Sequence, residues 1–151
     1  MLVYRVCSQK EISTIFQEKS LKSIGKVYPR NPKYNTHAYH KNQKYIHFFE
    51  YFEDIFYLNS SHRNIICTYD LPEDVLKDFM GFGFYLDCFY YETLQEVVEY
   101  AVPCEKVRFS SLQKVEEITD TIFIEDYIEG HFREKIETVY DSSKGKNYCK
   151  K

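Results

Sequence analysis

The chain has 151 residues, a length that predicts a single domain with a core of its own. Apolar residues make up 44% and charged residues 28%, and the formal net charge of −3 argues against a protein held to nucleic acid by overall charge. The 15 Tyr and 12 Phe, with no Trp, are a density of rings suited to a core and to clefts in which flat ligands stack.

The five cysteines are odd in number, widely spaced and without a CxxC pair. No apolar run approaches the roughly 20 residues that a membrane-spanning helix needs, and the first residues read as a strand and not as a signal peptide. We therefore expect a reduced, cytoplasmic protein that does not contact a membrane.

The first elements are a strand and a helix. Residues 2–7 predict a strand, in which Arg5 interrupts an apolar series. Ser8 followed three residues later by Glu11 is a capping box, which predicts a helix from about 9 to 19. The polar stretch 20–44 is a long connection, and its interleaved tyrosines favour an ordered, functional loop.

A dense apolar run, Tyr45–Phe49, predicts a buried strand because it is short and rich in β-branched and aromatic residues. Its central His47 must find a hydrogen-bond partner or a functional role. A short helix is expected over 50–58, a strand over 64–69, and a further helix from Pro72, which suits a first helical turn.

The second half predicts more strands and a closing helix. Residues 80–85 contain a G-x-G that does not extend to a dinucleotide fingerprint, so the glycines predict a tight bend beside aromatic rings. Strands are expected over 96–102 and 111–118, with 106–109 extending the sheet, and a helix over 120–140. Residues 141–151 predict a flexible polar tail.

This order predicts an α+β fold: a mixed, largely antiparallel, split sheet around a central cleft, with short flanking helices. Residues 1–140 would form one catalytic or binding domain. Three residues stand out in it, and each has an ordinary structural reading: Arg5 as an edge residue, His47 as a hydrogen-bonded core residue, and Glu99 as a solvent-facing acid. Together they predict one cleft, with all three side chains on the same face of the sheet.

The sequence gives weaker support for a metal site and for a nucleophilic cysteine. His37, His40 and His47 are spaced at three and seven, but no zinc-type Cys/His pairing accompanies them, so no metal is expected. A cysteine–histidine nucleophile has no local signature and stays open.

A binding module is the alternative function. Basic residues interleaved with tyrosines in 19–44 could follow a nucleic-acid backbone and stack its bases, or contact a protein partner. A solvated loop is the ordinary reading. The basic residues are Lys19, Lys22, Lys26, Arg30, Lys33, Lys41 and Lys44.

Three short motifs resemble toxin-type ADP-ribosyltransferases. Tyr4-Arg5 before a short helix resembles the first strand of that family, which carries an Arg or His that contacts NAD. The run Tyr45–Phe49 before a helix resembles the second element, and Glu99 in Glu-Tyr-Ala-Val-Pro resembles the strand glutamate that orients the ribose hydroxyl. The similarity spans roughly residues 3–118.

The resemblance implies NAD as the substrate, cleaved at the nicotinamide–ribose bond, and a protein or nucleic-acid acceptor. It implies an effector of toxin or phage-conflict type, for which an antitoxin is a possible partner. Glu99 would be the catalytic carboxylate. The NAD-binding residues would be Arg5, Tyr39, Tyr45, His47 and Phe49.

Two departures from the family are visible. The Ser-Thr-Ser of the arginine-modifying class is absent, since His47-Phe48-Phe49 stands in its place. The Glu-x-Glu pair is also broken, because Val97-Val98 separates Glu96 from Glu99. These departures point away from arginine modification and leave nucleic acid or another side chain as the acceptor.

Overall fold

The computed structural model describes residues 1–27, 43–58, 60–87, 93–122, 126 and 129–144. Eight strands lie within them: β1 (Leu2–Cys7), β2 (Lys26–Val27), β3 (Lys44–Phe49), β4 (Ile65–Asp70), β5 (Met80–Asp87), β6 (Thr93–Pro103), β7 (Leu112–Ile118) and β8 (Ile136–Asp141). Two α-helices have both of their ends within the described ranges, α1 (Gln9–Glu18) and α2 (Glu73–Leu76). Neither helix has the length or the apolar character needed to cross a membrane, a finding that covers the described residues alone.

Short 3-10 helices join several of these elements. They are Phe52–Tyr57, Lys77–Phe79, Cys104–Lys106, Phe109–Ser111, His131–Lys135 and Ser142–Lys144.

The strands form one sheet in the order β5-β6-β3-β1-β4-β7-β8, and β2 pairs with β3 outside this path. All pairings between these strands are antiparallel. The α+β class and the largely antiparallel sheet are therefore confirmed, whereas parallel pairs of a mixed sheet do not occur among the described strands. The strands predicted over 2–7, 45–49, 64–69, 96–102 and 111–118 are present with small shifts of their ends.

Apolar side chains cover both faces of the sheet near its centre. On one face α1 buries Ile12 and Ile15 in a cluster that includes Phe48 of β3. On the other face the 3-10 helix Phe52–Tyr57 buries Ile55 in a cluster with Phe49. Burial on both faces explains why β3 is a nearly continuous apolar run and not an alternating one.

Three predictions of local structure are wrong. The helix predicted over 120–140 is wrong in its second half, where residues 131–135 form a 3-10 helix and 136–141 form β8, which pairs with the edge of β7. In the first half Asp126 is helical, and 123–125, 127 and 128 lie outside the described residues. The predicted bend at 80–85 is part of β5, paired with β6 along its length. Residues 106–109 do not extend the sheet, since they belong to two 3-10 turns and the residues between them.

Two further segments differ in detail. The short helix expected over 50–58 is a 3-10 helix, Phe52–Tyr57. Asp141, assigned to the tail by its composition, is the last residue of β8, and Ser142–Lys144 form a short 3-10 turn. The rest of the predicted tail, 145–151, lies outside the described residues, as do 28–42 of the long loop.

The centre of the sheet has an opening between β1 and β3. These strands pair at one position, where Tyr4 faces Phe49. Towards the start of β3 the same edge is taken by β2, which pairs at Tyr45 and Lys44. Because β1 and β2 occupy opposite ends of this edge, the middle of β3 faces a gap that side chains and ligands can enter.

Candidate active site

A cavity of about 510 Å³ opens beside the middle of β3. Four of the predicted site residues line it: Arg5, Tyr45, His47 and Phe49. Glu99 lies behind them, fully buried and bonded to His47. Tyr39 lies outside the described residues. The remaining lining residues are Val6, Cys7, Ser8, Glu11, Ile24, Lys26, Leu58, His62, Arg63 and Tyr85.

The Glu99 carboxylate is held by two side chains. His47 Nε2 lies 3.1 Å from Glu99 Oε2, and the Tyr85 hydroxyl donates a hydrogen bond to Glu99 Oε1. A buried carboxylate is costly unless such donors satisfy it. His47 also meets Phe49 edge-on at 5.3 Å, and Tyr57 stacks on Tyr85 at 5.4 Å, so aromatic rings fix both donors.

Gly83 makes room for this carboxylate. It lies on β5 beside β6, and a Cβ atom added to it would overlap the Glu99 carboxyl group. The G-x-G motif therefore provides close approach within a sheet, which is a recognised reason for glycine in a strand. The glycine lets Glu99 lie flat over β5 and reach Tyr85, two residues further along.

Arg5 forms a second charged group at the cavity. Its Nε and Nη2 donate to the two oxygens of Glu11 at 2.8 and 2.7 Å, and its Nη1 donates to the His47 carbonyl oxygen at 3.0 Å. Burial opposes ionisation of Glu11, but the hydrogen bond and charge of Arg5 hold the pKa of this carboxyl below its usual range. Three of the five guanidinium donors are used in these bonds, which leaves two for a ligand.

The capping box is only half formed. The Ser8 hydroxyl accepts a hydrogen bond from the Glu11 backbone N–H at 3.1 Å, as the motif predicts. The Glu11 side chain, however, turns to Arg5. Sequence reasoning missed this role because S-x-x-E is fully accounted for by a helix start.

The predicted residues reach the cavity from two faces of the sheet. Phe49 is directly opposite Glu99 in the register, and by alternation His47 lies on the same face. Arg5 follows Tyr4, the partner of Phe49, so it starts from the other face, beside α1. Its guanidinium reaches the cavity through the gap between β1 and β3. The prediction that all three side chains lie on the same face of the sheet is therefore wrong for Arg5.

Comparisons of the chain with protein-family models, with curated proteins and with solved structures find no match. The site must therefore be interpreted from its own geometry and chemistry.

Basic groups surround the mouth of the cavity. Lys26, Arg63 and His62 line it together with the Arg5–Glu11 ion pair. Since Glu11 neutralises Arg5, the two remaining cations make the cavity attractive to an anion. His62 and Arg63 come from the turn before β4, and nothing in the sequence placed that turn near β1 and β3.

The cavity also contains a cysteine, and the sequence contains several histidines, so metal and thiol groups were compared with the geometry that their chemistry needs. Within the described ranges, no group of three or more His, Cys, Asp or Glu side chains could hold a metal ion; His37 and His40 lie outside those ranges. Cys7 lines the cavity with its sulfur 3.8 Å from that of Cys67. The hydrogen bond with Cys67 and burial raise the pKa of the Cys7 thiol, which is opposite to the activation that a nucleophilic cysteine needs.

An acidic residue on the other side of Glu99 is also perturbed. Burial, followed by the charges of Glu53, Glu99 and Glu50, raises the pKa of Asp54 from 3.8 to about 6. Asp54 lies in the 3-10 helix Phe52–Tyr57, which covers the face that carries His47 and Glu99. Asp54 therefore stays protonated to a higher pH than an ordinary aspartate does.

We expect Asp54→Asn to stabilise the protein at pH 8 but not at pH 4. A raised pKa in the folded state means that the native protein binds the proton more tightly, so stability is lost as the pH rises through about 6. Because the side chain is partly exposed, solvent screening reduces the gain to about 1 kcal/mol, or about 3 °C in melting temperature.

Thermal melts of both proteins at the two pH values measure this difference. Asp78→Asn, at an exposed aspartate of another 3-10 helix, is the matched control. Equal stabilisation by Asp54→Asn at both pH values would show that ionisation of Asp54 is not the cause.

Proposed function

We propose that this protein is an ADP-ribosyltransferase-like enzyme that cleaves the nicotinamide–ribose bond of NAD and transfers ADP-ribose to a macromolecule. The observation that carries the proposal is that Arg5 and His47 line one cavity and that the buried Glu99 carboxylate lies directly behind it, bonded to His47. They come from β1, β3 and β6, which are consecutive neighbours in the sheet. In the family that the sequence resembles, residues of these types contact NAD and orient the ribose.

The chemistry asks for a carboxylate near the ribose. Breaking the nicotinamide–ribose bond generates an oxocarbenium-like state, and a fixed negative charge stabilises the positive charge that develops. Glu99 supplies that charge, and His47 and Tyr85 hold it in place before the substrate arrives. A ribose hydroxyl that replaces one of these donors would be oriented by the same oxygen atom.

The other residues serve binding. Arg5 keeps two donors for a pyrophosphate, while its bond to the His47 carbonyl ties it to the strand that carries the histidine. Lys26 and Arg63 add positive charge at the mouth. Tyr45 and Phe49 contribute rings to the wall of the cavity, where flat groups of the substrate pack.

The first test is thermal stabilisation by NAD, nicotinamide and ADP-ribose. A ligand that binds only the native state contributes about 2.7 kcal/mol at a concentration of 100 times its Kd. We therefore expect NAD to raise the melting temperature by several degrees, and ADP-ribose to do so through the same basic residues. Absence of any shift at millimolar NAD would contradict the proposal.

The second test is Glu99→Gln. The amide preserves the size of the side chain but removes the charge, so nicotinamide release is expected to fall about 100-fold or more. Glu96→Gln is the matched control, because Glu96 lies on the same strand with its side chain on the opposite, exposed face. Unchanged nicotinamide release by Glu99→Gln would remove the assigned mechanism.

A further inference from the structure

A second cavity, of about 600 Å³, lies beside the first and is strongly basic. Four cationic side chains line it, and Glu105 is the one carboxylate among its lining residues. Glu105 accepts a hydrogen bond from Gln43 Nε2 at 2.7 Å, so it is already partnered. The cationic residues are Lys19, Lys22, Lys44 and Arg108.

The two cavities flank the same short ribbon. Along β3, Lys44 lines the second cavity and the next residue, Tyr45, lines the first. Along the segment after α1, Lys22 lines the second cavity, and Lys26 of β2 lines the first. Among the described residues, the β2–β3 ribbon is what separates an extended ligand in the second cavity from the first cavity and His47.

The charge of the two cavities differs from that of the whole chain. Together they are lined by seven Lys and Arg side chains and two carboxylates, in a protein whose formal net charge is −3. The basic residues come from separate elements: the end of α1, the start of β3 and the turns after β6. Cations on several elements suit a chain of regularly spaced negative charges better than one small anion.

Lys19 is held at this cavity in an unusual conformation. It ends α1 with φ of 55°, in the left-handed region where glycine is preferred. Its ammonium lies 4.6 Å from the centre of the Phe109 ring and 5.3 Å from that of Phe16. The chain thus keeps a cation over an aromatic surface at a position where glycine would relieve the backbone strain.

We propose that the second cavity binds the sugar–phosphate backbone of a single-stranded nucleic acid, and that this strand is the ADP-ribose acceptor. The role of the strand as ADP-ribose acceptor rests on the proposed NAD chemistry, whereas the binding of the strand does not. A basic groove that carries an aromatic ring is the arrangement by which proteins hold single strands. The adjacent first cavity places the acceptor strand next to NAD.

The experiment measures binding of a labelled single-stranded oligonucleotide, as DNA and as RNA, by fluorescence anisotropy over a salt series. The combined variant Lys22→Gln/Lys44→Gln/Arg108→Gln is expected to bind about 100-fold more weakly at low salt. Its salt dependence should fall by about two units of slope, since each phosphate contact contributes about 0.7 for a single strand. Tighter binding of the DNA or of the RNA oligonucleotide identifies which nucleic acid is the acceptor.

Two controls keep this test specific. The variant Lys10→Gln/Lys77→Gln/Lys144→Gln makes the same change of charge at exposed positions outside both cavities and should bind as the unmodified protein does. Poly-glutamate tests the acidic-peptide alternative. Equal affinities of the two triple variants, or poly-glutamate binding as tight as that of the oligonucleotide, would overturn the proposal.

The variant Lys19→Gly distinguishes a role of the Lys19 side chain in ligand binding from a role in packing against the two aromatic rings. If Lys19 serves the ligand, oligonucleotide affinity falls while the melting temperature stays the same or rises, because glycine removes the strain of the positive φ. If it serves only to cover the two rings, the melting temperature falls and binding is unchanged, which contradicts its role in the site.

The two proposals fail in different ways. Nicotinamide release by the Lys22/Lys44/Arg108 variant without oligonucleotide should equal that of the unmodified protein, whereas modification of the oligonucleotide should be lost. If nicotinamide release is absent in every protein but the binding difference persists, the NAD chemistry fails and the nucleic-acid site stands. If release is normal and the oligonucleotide is never modified, the acceptor assignment fails.

Discussion

Replacing Gly83 with alanine is expected to destabilise the protein by about 2 kcal/mol, the usual cost of adding a methyl group to a filled core. The added Cβ would overlap the Glu99 carboxylate, which cannot move without breaking its bonds to His47 and Tyr85. A loss of about 5 °C in melting temperature follows for a chain of this size. Thermal or urea unfolding measures it, and nicotinamide release should fall with it.

The pair Gly83→Ala/Glu99→Ala is the matched control for this effect. Removing the carboxylate removes the overlap, so the alanine at position 83 should cost much less in the Glu99→Ala background than in the unmodified protein. A double-mutant cycle gives this coupling directly. If the free-energy changes of the two substitutions simply add, Gly83 is required for its backbone conformation and not for the space that it leaves to the Glu99 carboxylate.

Arg5→Met is expected to cost about 3 kcal/mol in the free energy of unfolding. It removes the partner of the largely buried Glu11 carboxylate and one hydrogen bond to the His47 carbonyl. Loss of one member of a buried ion pair is costly because the other charge stays desolvated. Urea unfolding at pH 7 measures this cost.

The pH dependence identifies the cause of the Arg5→Met effect. In the unmodified protein the pKa of Glu11 is lowered, so its contribution to stability is present above its ordinary range and is lost as the pH falls through the lowered value. The difference between the two proteins should therefore be largest at pH 7 and shrink as the pH falls below the ordinary range of a glutamate carboxyl and through the lowered pKa of Glu11. Arg5→Met/Glu11→Met should recover most of the loss at pH 7, and a loss independent of pH and of Glu11 would point to packing alone.

The central strands could be predicted from the sequence because their residue types favour strands and also suit the buried positions that these strands occupy. Runs such as Tyr45–Phe49 and 65–70 are apolar and β-branched or aromatic, and they lie where both faces of the sheet are covered. The segment 131–141 misled because Phe132, Ile136 and Val139 also fit a helical spacing. Pairing with the free edge of β7 decides this case, and that pairing is a long-range interaction that local periodicity does not contain.

The candidate site also depends on long-range contacts that local sequence patterns do not contain. Arg5 and His47 line one cavity with Glu99 buried behind His47, but Arg5 starts from the face of the sheet opposite to that of His47 and Glu99, which the sequence did not predict. Gly83 and Tyr85 were missed because their roles depend on the register of β5 against β6. Glu11 was missed because a local cap explained it, although its side chain pairs with Arg5.

The position of β1 in the sheet has a consequence for synthesis of the protein. β1 precedes both of its neighbours in the chain, yet it lies between β3 and β4 in the middle of the sheet. A nascent chain that has exposed β1 must therefore wait for β4 before this strand is paired on both edges, and for β6 before Glu99 reaches His47. Since the candidate site is assembled from strands made at different times, an incomplete chain on the ribosome lacks the contact between His47 and Glu99 until β6 has been made.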